Sequence, residues 1–125
     1  MTLVQAVAGQ RWEQLPGLYA EHTDVQHPLA RGAPALLTRA AVAQHFAAAR
    51  TAVGEKLSFT AENIRVHTTP DPEVIVAEFE YRGRNRQTGA AFTCACVFVM
   101  RVREGLIVES RDYVDHAALA AALER

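Results

Sequence analysis

The hydrophobic period of this chain changes once, at Lys56, and that change constrains the fold more than any other feature. Before it, apolar residues recur at helical spacing: Trp12, Leu15 and Tyr19, then Val42, Phe46, Ala49 and Val53 at i, i+4, i+7 and i+11. After it they alternate at period two through residues 57–60, 64–67, 74–82, 92–102 and 106–114. Helices first and a strand meander afterwards predict an α+β domain. Strands this long curl, and their concave side faces the helices.

Local signals place the boundaries. Residues 2–8 suit a short helix that stops at Gly9, and a second helix begins near Arg11 and bends at Pro16, which has no N–H to donate. Residues 21–28 form a short extended piece ended by Pro28, and residues 29–37, with Gly32 and Pro34, form a loop. Thr38 is an N-cap for the third helix, and Gly54 suits its end. Thr69-Pro70-Asp71-Pro72, residues 85–89 and Glu104-Gly105 are turns, and residues 116–123 make a last, alanine-rich helix.

The length of 125 residues, half of them hydrophobic, fits one domain over residues 1–125 that needs no disulfide or metal staple. A net charge of −1, with both signs interspersed, offers nucleic acid no electrostatic footprint, and Arg82, Arg84 and Arg86 read as a solvated hairpin tip. No apolar run approaches the ~20 residues that cross a bilayer, and Met1-Thr2-Leu3-Val4-Gln5 lacks the layout of a signal peptide, so the expected location is the cytoplasm. Cys94 and Cys96 point the same way from one strand but stand about 6.5–7 Å apart, which disfavours a disulfide. They read as free thiols and small apolar wall residues, and a lone C-x-C with no suitably spaced His gives no metal site.

Two stretches carry a resemblance to a known family. Leu18-Tyr19-Ala20-Glu21-His22-Thr23-Asp24-Val25-Gln26-His27-Pro28 resembles the helix-to-strand junction of ketosteroid-isomerase-like proteins. Residues 99–107, followed by Ser110-Arg111-Asp112-Tyr113-Val114-Asp115, are similar to the closing hairpin of SnoaL-like polyketide cyclases and limonene-epoxide-hydrolase-like enzymes. The hairpin from Asp71-Pro72-Glu73-Val74 to Thr88-Gly89 matches as well, so the likeness spans nearly the whole chain. It implies the nuclear-transport-factor-2-like cone, a curved antiparallel (mixed) sheet around a central pocket. Such a scaffold hosts isomerases, cyclases, hydrolases and inert binders, so fold alone does not settle function.

By that resemblance His27 stands where the steroid isomerases place a proton-shuttling aspartate. Its imidazole titrates near neutrality, which suits a general acid or base, although a strand-end histidine bonded to backbone would look the same. The change from Asp to His, with Phe98 where those isomerases keep an oxyanion-stabilising acid, argues against steroid isomerisation. Asp112 shares a strand face with Leu106, Val108, Ser110 and Val114, and the resemblance turns that face inward. Burial there would raise its pKa and make it usable for proton transfer, whereas an aspartate capping backbone at the pocket rim is the structural alternative. Ile107 falls on the opposite, outer face.

Alternation sends Phe79 and Tyr81 inward and Glu78 and Glu80 outward, with Arg111 and Arg101 as their expected partners; one bulge would reverse this. The remaining wall is expected to comprise Trp12, Tyr19, Phe46, Phe59, Phe79, Tyr81, Cys94, Cys96 and Phe98, while His22, His45, His67 and His116 read as surface residues. No arginine stands where the epoxide hydrolases of this fold keep one, which argues against epoxide opening. The expected protein is a cofactor-independent acid/base enzyme, an isomerase or cyclase acting on a small apolar carbonyl compound through His27 and Asp112. The alternative is a pocket that binds a hydrophobic ligand without catalysis, or a dimerisation domain; an epoxide-hydrolase-like enzyme is a further alternative. A homodimer through the outer sheet face, carrying Val74, Val76, Ala95, Val97, Val99 and Ile107, is expected in either case.

Overall fold

The computed structural model describes Gly9 and residues 11–124, so the helix expected over residues 2–8 lies outside the described residues. A 3-10 helix, Trp12–Leu18, leads into β1, Tyr19–Gln26. It replaces the longer bent helix read from the sequence. Pro16 cannot donate, the Tyr19 N–H closes on the Pro16 carbonyl, and Tyr19 itself is extended. The loop that follows contains β2, Leu36–Thr38, paired antiparallel with β1. Helix α1, Arg39–Ala49, starts where Thr38 Oγ1 accepts the Ala41 N–H at 3.1 Å. Its last turn widens into a π-helical turn, Arg50–Gly54.

Strands β3 (Leu57–Thr68), β4 (Val74–Asn85), β5 (Ala91–Arg103) and β6 (Leu106–Val114) follow, then helix α2, His116–Glu124. The two short strands expected before residue 68 are one strand, with a register shift between Glu62 and Arg65 where Asn63 takes a φ of 54°. The six strands lie in the order β2-β1-β6-β5-β4-β3. Every pairing is antiparallel except β1 with β6, which is parallel. The sheet is therefore mixed, and it remains open.

Register decides which side chains face inward. β4 and β5 pair without interruption from Val74↔Arg101 to Arg84↔Ala91, so Ala77, Phe79 and Tyr81 face the core with Phe92, Cys94, Cys96, Phe98 and Met100. Glu78 and Glu80 do face outward, but not toward the expected arginines. Glu78 meets His67 at 2.6 Å, and Glu80 meets Arg82 at 2.8 Å as well as Asn63. The reason is topological: Arg111 pairs with Val99 on β5 and is thus separated from β4 by a whole strand. Arg101 is held instead by Asp71, Glu73 and Glu109. A bulge between β5 and β6 overturns one further expectation. Arg101 pairs with Glu109 but Val102 with Ile107, so the parity of β6 flips and Ile107 enters the core rather than the outer face. None of the helices among the described residues is long and apolar enough to cross a membrane.

Candidate functional site

The parallel pairing of β1 and β6 builds the centre of the site. Gln26 lies beside Arg111, so the next residues along, His27 just past the end of β1 and Asp112 within β6, fall side by side. His27 Nε2 stands 3.6 Å from Asp112 Oδ2, and their side chains are 13% and 7% exposed. Asp112 lies opposite Phe98 on β5, and its Oδ1 accepts a short hydrogen bond from the Ser110 hydroxyl. The two residues border a cavity of about 240 Å³ between the sheet and the helices.

Of the expected wall, Trp12, Tyr19, Phe46, Phe59, Tyr81 and Phe98 border this cavity. Their rings meet at tilted or edge-on angles, with Tyr19 and Trp12 against Phe46 at centroid separations of 5.9 and 6.4 Å, and Phe59 against Tyr81 at 4.9 Å. Phe79, Cys94 and Cys96 share the inward face but do not border it. Phe79 is wedged edge-on between Tyr81 and Phe98, and Cys94 is covered where its Sγ contacts the Asp115 carbonyl at 3.4 Å. Cys96 borders a second, more open cavity lined also by Leu29, Ala95, Val97 and Tyr113. Both cysteines are buried free thiols.

Two histidines read as surface residues belong to the wall. His45 sits three residues beyond buried Val42 on α1, on the flank of the apolar stripe, and its ring lies 4.6 Å from that of His27. His116 opens α2, directly after the strand that carries Asp112. Phe92, which alternates with Cys94 on β5, joins them. The helical spacing on α1 and the strand alternation on β5 were sufficient signals for His45 and Phe92. His116 had none, because only the packing of α2 brings it inward. His22 and His67 are exposed.

Burial sets the protonation of the pair. Asp112 is pushed up from 3.8 to about 6 by desolvation, which outweighs the stabilising bond from Ser110. His27 is lowered from 6.5 to about 4, first by burial and then by the neighbouring His45 and His116. Burial lowers His45 as well. The carboxylate beside His27 does not raise its pKa, because desolvation by burial outweighs the attraction of the opposite charge. At neutral pH the arrangement is a neutral imidazole beside a carboxylate of heightened basicity. The Tyr19 hydroxyl and His116 Nε2 are buried without a hydrogen-bond partner among the described residues. Burial, then the charge of Asp112, raise the Tyr19 phenol, which keeps its proton. Among the described residues no cluster of His, Cys, Asp and Glu is arranged to hold a metal.

The profile of the SnoaL-like domain family matches residues 2–110. Among curated proteins none matches the chain. Solved structures are similar in fold. A proposed isomerase from Bacillus subtilis superposes with a TM-score of 0.82 at 20% identity, covering 98% of this chain and 87% of the other. A proposed polyketide cyclase from Xanthomonas campestris pv. campestris gives 0.74 at 17%, covering 97% and 90%. An LEH-like epoxide hydrolase from M. tuberculosis gives 0.68 at 14%, covering 98% and 84%.

Proposed function

The chain is a member of the SnoaL-like domain family, and from that premise we propose that it is an acid/base enzyme that needs no cofactor, of isomerase or cyclase type, acting on a small apolar carbonyl compound. The observation that carries this reading is the meeting of His27 and Asp112, 3.6 Å apart in an aromatic-walled cavity. Asp112, with a pKa of about 6, is ionised at neutral pH yet far more basic than an exposed carboxylate. It takes a proton from the carbon beside the carbonyl: the C–H bond breaks, a carboxyl O–H forms, and the electron pair moves into the enolate. Returning that proton to a different carbon completes an isomerisation. Attack of the same carbon on a second carbonyl closes a ring. Neutral His27 accepts or donates a proton at the neighbouring position. Positioned acid/base groups contribute about 10²–10⁴-fold to such steps.

Epoxide opening is the weaker reading despite the fold it shares, because no arginine borders the cavity among the described residues. The test follows deuterium from solvent into the α-carbon of enolisable ketones by NMR. Wild type should exchange it well above the buffer rate, with a rate that rises as pH passes about 6, where Asp112 ionises. Asp112→Asn should lose about a hundredfold and His27→Gln at least tenfold. Equal exchange by wild type and Asp112→Asn would overturn the assignment. Binding without exchange would leave a ligand-binding domain instead.

A further inference from the structure

We infer that the cavity is selective for charge as well as size: its ligand is an uncharged carbonyl compound of about one or two rings, and Asp112 excludes carboxylates. This rests on the cavity reading above and names its substrate class. Size comes from volume. A dry protein cavity of about 150 Å³ accommodates benzene, with six heavy atoms, so the 240 Å³ here corresponds to about ten. A four-ring compound has roughly twice as many.

Charge comes from what faces the ligand. The described residues that border the cavity include no lysine or arginine, and their one acidic side chain is Asp112, itself 5% exposed. The other titratable groups are His27, His45, His116, Tyr19 and Tyr81. Burial holds His27 and His45 uncharged at neutral pH, with the neighbouring imidazoles adding to it at His27, and burial keeps both phenols protonated. The N-terminus of α2, which could otherwise favour an anion, is already capped by a carboxylate, since the Ala118 N–H donates to Asp115 Oδ1 at 3.1 Å. A ligand carboxylate would therefore lose its hydration, meet no lysine or arginine, and lie beside another buried negative charge. A ketone brings no charge.

Phenylacetone and phenylacetate test the idea directly. Each has ten non-hydrogen atoms and the same benzyl group, and they differ in a methyl ketone against a carboxylate. Titration by NMR or calorimetry at pH 7.5 should show wild type binding phenylacetone at least tenfold more tightly than phenylacetate. In Asp112→Asn and Asp112→Ser the gap should close to within about threefold because phenylacetate binds more tightly, while dispersed amide resonances at the wild-type positions identify a folded variant. Equal affinities in wild type, or a gap unchanged in either folded variant, would overturn the charge selection. A tetracyclic ketone binding as tightly as phenylacetone would overturn the size class. Deuterium exchange into bound phenylacetone separates this proposal from the catalytic one: selective binding without exchange sustains the filter and removes the acid/base role.

Discussion

Replacing Asp112 by Asn should make this protein more resistant to unfolding at neutral pH than in acid, relative to wild type. The carboxyl rises from 3.8 to about 6 on burial. A difference of about two pH units is worth about 3 kcal/mol, to an order of magnitude. Below pH 3.8 the folded and unfolded states both hold the proton, and there is no penalty. Between 3.8 and about 6 only the folded protein retains it, so stability falls as pH rises, and above about 6 the full cost of the buried charge is present. His27 runs the other way. Its imidazole is neutral in both states above pH 6.5, and as pH falls toward 4 only the unfolded chain gains the proton, so stability is lost. Because part of its ring meets solvent, that contribution is discounted to about 2 kcal/mol.

The two slopes oppose each other over nearly the same window, so wild type hides both. Asp112→Asn should gain about 3 kcal/mol on wild type between pH 4 and pH 7, and His27→Gln should gain about 2 kcal/mol on wild type as pH falls from 7 to 4. Urea unfolding at matched pH reads the difference directly, and the half-buried Asp71 and Glu73 ion pairs cancel between wild type and variant. Parallel stability curves for wild type and Asp112→Asn would refute the reasoning, because they would mean that the carboxyl titrates alike in both states.

Tyr19→Phe removes a buried hydroxyl with no partner among the described residues, so thermal unfolding should place it within about 1 kcal/mol of wild type or above it. A loss beyond about 2 kcal/mol would reveal a bond that the described residues do not account for. Gly83→Ala would put a Cβ 1.9 Å from the Ser58 carbonyl on β3, forcing β3 and β4 apart at a cost of about 3 kcal/mol, read from urea unfolding curves. A neutral result would mean that the two strands can separate freely there. Val74, Val76, Val97 and Val99, half-buried on the outer sheet face, should pair two copies, and light scattering should give about twice the 13.7 kDa of one chain. A single-chain mass at micromolar concentration would contradict it.

Much of this architecture is legible along the chain, because helical and strand periods are local properties that burial imposes on neighbouring residues. The stripe from Val42 to Val53, the cap at Thr38 and the alternation through Phe79, Tyr81 and Phe98 are of this kind. So was the inward turn of Asp112, since strand parity carries from Ser110 to Asp112 without a break. What escaped is what depends on register between distant segments. One bulge opposite Val102 reversed Ile107, and strand order sent Glu78 to His67 instead of an arginine. The packing of α2 brought His116 into the wall, and the Asp115 carbonyl just before it covered Cys94. The sequence by itself also named both members of the central pair, but only the tertiary structure decided their charges. A pKa responds to how much water and how many imidazoles surround the group in space, and three histidines that lie far apart in the chain converge on one aromatic-walled cavity.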